Sequence, residues 1–274
     1  MSHPRIVTIF MTLSLLLAGA TAQEDERDDQ ALANETAAED LLRRVDAGLY
    51  YPSVEGLQDL SFRWQLGGTG PFEELSALWL AYFWKSPDKM RMQYVNADGS
   101  PLEAFPEFAK TEQGEGLLKY LEQQLHGTAQ TLLVGIPLHV IYRDYYKELR
   151  TVEVNHKLEH RVIMRPKSKK NFVRIDMKIK GNLPIEFRKT DDQGKEVVTR
   201  YRYEARGEKH QVKGMKIERN SQIVTDEEYH YVVEKDLYVL SRIERGIMQG
   251  EKRMVTVKLE ALRVNTGLKD ELFE

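Results

Sequence analysis

No cysteine occurs among these 274 residues. That excludes a disulfide framework and acylation through a cysteine, so a large buried core must hold the chain together. Catalytic signatures are missing as well: there is no G-x-S-x-G elbow, no phosphate-cradling glycine loop and no dinucleotide fingerprint. No segment recurs at a fixed period, which removes solenoids and propellers. The basic segments lack the interleaved aromatics of a single-strand nucleic-acid groove, so nucleic acid is not an expected partner. Paired acids such as Asp191-Asp192 and Glu227-Glu228 sit where turns are expected. The sequence therefore nominates no catalytic residue, no metal ligand and no cofactor.

Long apolar runs are also scarce, and the one present is informative. IVTIFMTLSLLLAGA, residues 6–20, follows Arg5 and leads into Ala20-Thr21-Ala22. A short positive start, an apolar core and a small-x-small site make residues 1–22 a cleaved export signal. The run is too short and wrongly flanked for a stable membrane span. Export without cysteine fits a bacterial periplasm. Two address-like strings are set aside. Lys269–Leu272 reads KDEL, but Phe273 and Glu274 follow it, and Asn34-Glu35-Thr36 is a sequon without meaning in most bacteria.

Charge is unevenly placed. Residues 23–40 carry eight acids against Arg27, and 23–35 reads as a flexible acidic tail. Residues 141–220 hold 22 Lys and Arg against 12 Asp and Glu. Such a surplus suits the wet face of a sheet, an acidic envelope protein or an anionic membrane surface.

Periodicity then sorts the elements. Ala38, Leu41, Leu42, Val45 and Leu49 share a helical face over residues 36–49, with Asn34 or Thr36 as the cap. A strand is expected at 57–66, then a turn at GGTG. ALWLAYFW (77–84) is apolar on both faces, as in a strand covered on both sides. A turn through Pro87 and Asp88 comes next, and MRMQY (90–94) alternates cleanly with Met90, Met92 and Tyr94 on one face. Residues 103–126 read as helix, with Leu117, Leu118, Leu121 and Leu125 in one stripe and Gly127 as the stop. A short helix is expected around Thr128–Val134, with Pro137 as an interruption after it. From residue 148 the period becomes two, with strands expected at 152–164, 173–180, 183–187, 197–205, 212–219, 229–234, 237–245 and 253–264. Hairpin-sized connections make this an antiparallel meander.

His156-Lys157-Leu158-Glu159-His160 matches H-x-x-E-H, a zinc-peptidase signature that requires a helix. The alternating flanks, with Val152, Val154, Leu158 and Val162 on one side, indicate a strand instead. On a strand the two histidines lie roughly 13 Å apart and cannot share one metal ion. His126, His139, His210 and His230 are scattered without ligand spacing.

The order of elements resembles the LolA/LolB-like family of periplasmic lipoprotein carriers and outer-membrane lipoprotein-sorting proteins. Leu78-Trp79-Leu80, then Lys85-Ser86-Pro87, then Met90-Arg91-Met92 look like its strand, turn and following strand. Asp98-Gly99, residues 162–179, residues 184–203 and the tail 264–273 are similar to its later turns and hairpins. The chain departs at Ser86, where the carrier proper has an arginine that ties lid helices shut, and in extra helix near 103–126 and extra strands after 206. The resemblance implies an α+β fold that is mainly antiparallel β, an unclosed half β-barrel with helices covering the concave face, over a single domain at 36–274. It implies a periplasmic protein, not an enzyme, that holds acyl lipid or lipoprotein between sheet and helices. Trp79, Phe83, Met90, Met92, Tyr94, Leu118 and Leu121 are the candidate cavity residues. A non-catalytic interaction or stress-sensing module like the RseB-like regulators is the alternative.

Overall fold

A computed structural model describes residues 30–68, 78–154, 157–249 and 251–274. The expected export signal, most of the acidic tail and His156 lie outside those residues. The described part is mainly antiparallel sheet with a few helices. Helix α1 covers residues 30–47. Three strands come next, β1 (Asp59–Gly68), β2 (Trp79–Lys85) and β3 (Lys89–Val95). Then there are a 3-10 turn (Glu107–Lys110), helix α2 (Glu112–Thr128), a π-helical turn (Ala129–Val134) and the one-turn helix α3 (Leu138–Ile141). The chain then runs as a meander: β4 (Tyr145–Val154), β5 (Lys157–Pro166), β6 (Arg174–Lys180), β7 (Leu183–Thr190), β8 (Glu196–Arg206), β9 (Lys209–Arg219), β10 (Gln222–Glu234), β11 (Leu237–Gln249) and β12 (Glu251–Val264).

These strands make one sheet in the order β3-β2-β1-β12-β11-β10-β9-β8-β7-β6-β5-β4. Sequence neighbours are sheet neighbours except for β3 and β4, and one pairing joins strands distant in sequence, where β12 returns to β1. The edges β3 and β4 do not pair, so the sheet stays open, as the sequence pattern and resemblance imply. The chain must cross from one edge to the other through residues 96–144, and it does so over the inner face, carrying α2, the π turn and α3 with it. Two cores result. α2 and the π turn cover Leu60, Phe62 and Trp64 of β1, Leu80, Tyr82 and Trp84 of β2, and β11–β12. α1 contributes Ala38, Leu41, Leu42 and Val45 to a second core with Val162, Met164, Met177, Ile179 and Phe187 of β5–β7.

Several local expectations are corrected. Asn34 does not cap α1; it lies within the helix and bonds the backbone of Leu149. Thr36 bonds the Leu32 carbonyl one turn back. Gly127 does not stop α2, because a glycine inside a helix costs only about 1 kcal/mol. The helix continues into the π turn and ends at Gly135, whose φ of 69° is left-handed. A Cβ there would come within 3.0 Å of Tyr51 and Pro52. Pro137 begins α3 rather than interrupting structure, since its missing N–H is not needed there. The alternation from Val152 to Met164 is two strands, with Val152 opposite Glu159 and Val154 opposite Lys157. The reversal flips the phase, so Val152 and Val154 face away from Leu158 and Val162.

The basic surplus of 141–220 is knitted into cross-strand ion pairs on the convex face. Arg200 reaches Glu186 at 2.9 Å, Arg202 reaches Asp226 at 3.0 Å and Lys178 reaches Glu159 at 2.8 Å. Each is worth little by itself, but together they satisfy a wet sheet face. The inner face also holds buried charges, Lys147 of β4, paired with Glu39, and Glu227 of β10. Glu227 of β10 stands directly opposite Arg245 of β11, forms an ion pair with it, and accepts the Tyr229 hydroxyl at 2.7 Å. Nearby on β8, burial and then the charge of Glu227 push the Tyr201 phenol up to about 12.

Candidate functional site

The β2–β3 hairpin register decides what faces inward. Trp84 pairs with Met90, Tyr82 with Met92 and Leu80 with Tyr94. Opposed residues share a face, so the apolar side of β3 joins the even-numbered side of β2. β1 adds Leu60, Phe62 and Trp64, paired with Trp84, Tyr82 and Leu80. The inner wall is thus a block of aromatic and aliphatic side chains across three strands. Phe62 stacks on Tyr82 at 5.0 Å between ring centres and meets Trp64 edge-on at 4.9 Å.

α2 closes over this wall. Thr111 caps its start by accepting the Gly114 N–H at 3.1 Å, and Glu112 and Glu115 in the first turn suit the helix dipole. Leu118 and Leu125, two turns apart, point at the sheet and are buried. The space left between helix and sheet is a void of about 10 Å³ lined by Trp64, Leu78, Trp79, Leu80, Tyr94, Leu118 and Leu125. Counted as room for the centre of a water-sized sphere, one water needs about 10–15 Å³, so the void holds one water at most. Among the described side chains it has no room for a chain of methylenes unless α2 moves. The Tyr94 hydroxyl lies beside the Glu122 carboxylate of α2, and burial first, then that carboxylate, raises the phenol well above its usual range. This contact joins the cover to the edge strand. Met90 and Met92, beside it, are half-buried at the border of the core.

The seven side chains nominated from the sequence divide. Met90, Met92, Tyr94 and Leu118 come together on the inner side. Trp79 and Phe83 take the other face of β2, in a small cluster with Ala81 and Val95, and the Arg63 guanidinium lies 5.5 Å from the Trp79 ring centre. Trp79 borders the void from its strand, but its ring belongs to that outer cluster. The Leu121 side chain lies outside the described residues. Sequence reasoning missed Trp64, Leu80 and Tyr82. A signal was available: a tight turn pairs Trp84 with Met90, and the clean alternation of β3 then fixes the phase of β2.

Ser86, where the resemblance departs, is exposed and has its backbone N–H on the Gln58 carbonyl at 2.8 Å. The adjacent Lys85 bonds the Leu268 carbonyl and Asp270, each at 2.7 Å, tying the hairpin to the C-terminal turn rather than to a helix. Of the H-x-x-E-H pair, His160 lies on β5 with Nδ1 3.0 Å from the Thr151 hydroxyl. Among the described residues, no three His, Asp or Glu side chains are grouped to share a metal ion.

A second cluster ties α1 to α3. The buried carboxylate of Asp46 accepts the Tyr51 hydroxyl at 2.6 Å, the Leu138 N–H at 2.7 Å and the His139 N–H at 3.0 Å, and it meets His139 Nδ1 at 2.7 Å. The adjoining cleft of about 260 Å³ has Glu39, Arg43, His139, Val140, Arg143 and Lys147 on its walls. Lys147 is already paired with Glu39 at 3.0 Å, and that bond, with its charge, lowers the Glu39 carboxyl. Asp46 and the Glu39–Lys147 pair are thereby satisfied, and the cluster reads as a fastening between helices.

No family model matches the chain. No curated protein matches it. Among solved structures, a LolA-superfamily protein from Nitrosomonas europaea is similar over 86% of this chain and 97% of its own, at 8% identity and a TM-score of 0.36. A putative outer membrane lipoprotein-sorting protein domain from Vibrio parahaemolyticus is similar over 88% and 97%, at 9% identity and a TM-score of 0.41. Both names fall within the group that the sequence motifs resemble. At such values the likeness is too loose to carry a statement about ligand or activity.

Proposed function

We propose that this chain is an exported, periplasmic, non-catalytic carrier that holds the acyl chains of a lipid or lipoprotein between the inner sheet wall and α2. The observation that carries the reading is the way the inner wall is covered. A block of aromatic and aliphatic residues on β1–β3 is closed by a separate helix on a long crossover, not by a second sheet. Such a cover can lift without breaking strand pairing. Each methylene that then leaves water contributes about 0.8 kcal/mol, enough for a few chains to hold an amphiphile in solution. Among the described residues no helix is long and apolar enough to cross a membrane.

The test is direct. Protein purified from a bacterial envelope should carry acyl lipid detectable by mass spectrometry, and the delipidated protein should bind a fluorescent acyl probe. Protein that is lipid-free when isolated and also ignores such probes would overturn the reading.

A further inference from the structure

Two polar atoms on the inner wall stand out. Among the described residues, neither the Trp64 indole Nε1–H nor the Tyr82 hydroxyl finds a hydrogen-bond partner, although both side chains are fully buried. They belong to adjacent strands and one face, Trp64 opposite Leu80 and Tyr82 opposite Phe62. That makes them diagonal neighbours, about 7–8 Å apart at Cα. Phe62 sits between the two rings and packs on both.

A core built for stability alone would use phenylalanine at both places. An orphaned buried donor lowers the folded population by a factor of roughly 5–30. A bridging water is a poor remedy, because it needs two to four polar partners. Around the void at Trp64 the described walls are Leu78, Trp79, Leu80, Leu118 and Leu125, with Tyr94, whose hydroxyl lies beside the Glu122 carboxylate. The two groups also agree in what they ask for. An indole N–H only donates, and burial keeps the Tyr82 phenol protonated by raising its pKa well above the usual range. A guest must therefore bring neutral acceptors. A bare hydrocarbon has none, and a free fatty-acid carboxylate would bring an unpaired charge to an apolar wall.

Resting on the acyl-chain reading above, we infer that Trp64 and Tyr82 form a carbonyl subsite that selects chains joined through ester or amide bonds. The acyl chains lie under α2 while the carbonyl oxygens at their heads accept from Nε1–H and the phenol. Ether-linked chains fill the same apolar space without the carbonyl oxygens, offering only their ether oxygens at the chain heads, and free fatty acids bring a charge to that wall.

The experiment compares dioleoylglycerol with its ether analogue, dioleylglycerol, as competitors of a fluorescent acyl probe on the full chain after removal of the export signal. The diester should compete roughly 5- to 30-fold better. Tyr82→Phe should shrink that gap and raise the stability of the lipid-free protein. Trp64→Phe should also shrink it, but the wild-type comparison and Tyr82→Phe stand without it if that variant folds poorly. Equal competition by the two lipids overturns the subsite while leaving the carrier reading intact. So does an undiminished gap in Tyr82→Phe, or a lipid-free Tyr82→Phe that melts below wild type. If the acyl probe itself does not bind, the carrier reading fails and the subsite fails with it; if the probe binds but neither lipid displaces it, the subsite alone fails.

Discussion

The side chain of Asn34 bonds both backbone groups of Leu149, donating to its carbonyl at 3.1 Å and accepting its N–H at 2.6 Å. Leu149 lies on β4, an edge of the open sheet, where unpaired N–H and C=O groups are a template for another strand. Asn34, carried by α1, occupies that template as a neighbouring strand would. Asn34→Ala should cost about 1–3 kcal/mol, because it frees two backbone groups at once. The Leu149 amide should exchange faster with solvent, and the variant should self-associate on size-exclusion chromatography. A variant that stays monomeric with unchanged exchange at Leu149 would show that the edge is guarded elsewhere.

The contact of Tyr94 with Glu122 predicts a different behaviour. It joins α2 to β3, the other edge strand, so Tyr94→Phe removes the tie while keeping the ring that packs on Phe105 at 5.0 Å. Global stability should change by about 1 kcal/mol or less. Amide exchange across residues 112–128 should quicken selectively, and a fluorescent acyl probe should enter faster. Faster exchange spread evenly over the sheet would instead mean that the tie belongs to the whole fold.

The sequence made some of these relationships legible and hid others for physical reasons. MRMQY shows its inner face because polar and apolar residues alternate, whereas ALWLAYFW is apolar on both sides and its phase depends on the hairpin register. Trp79 and Phe83 therefore look equivalent to Leu80 and Tyr82 until β3 is paired. The end of α2 is set by Tyr51 and Pro52 crowding Gly135, a contact made by residues far away in the chain. Asn34 resembles a helix cap because caps are local, and its real partner is 115 positions away. The antiparallel meander needed no long-range information, since consecutive hairpins announce themselves by turn residues and a period of two, whereas its open edges and the return of β12 to β1 are long-range features that only the family resemblance suggested.

Glu227 and Arg245 predict an asymmetry between single and double substitution. The pair is buried on the inner wall, with the glutamate side chain only 1% exposed. Removing one partner strands the other charge, so Glu227→Ala should cost about 3–5 kcal/mol in urea unfolding. Replacing both at once, Glu227→Leu with Arg245→Met, removes the desolvation penalty along with the attraction and should cost clearly less. A double variant as unstable as the sum of the two singles would show that the charges act independently.

Asp59 supplies the acid limit of the fold. Its carboxylate accepts the Thr266 N–H at 2.8 Å, the Thr266 hydroxyl at 3.1 Å and the Gly267 N–H at 2.8 Å, clamping the segment after β12 onto the start of β1. Burial alone would raise its pKa, but these bonds outweigh burial and hold it below the ordinary value of 3.8. A group that releases its proton more readily when folded stabilises the fold above its unfolded pKa and loses that contribution as the pH falls through the folded one. The clamp is therefore complete at neutral pH, starts to weaken as the pH drops past 3.8, and is gone only in stronger acid. Asp59→Asn keeps one acceptor oxygen but has no proton to gain. Thermal melts should place it about 1–3 kcal/mol below wild type at neutral pH, and the difference should narrow steadily in acid. If the two proteins keep a constant separation from about pH 7 down to about pH 2, the Asp59 charge is not what the clamp depends on.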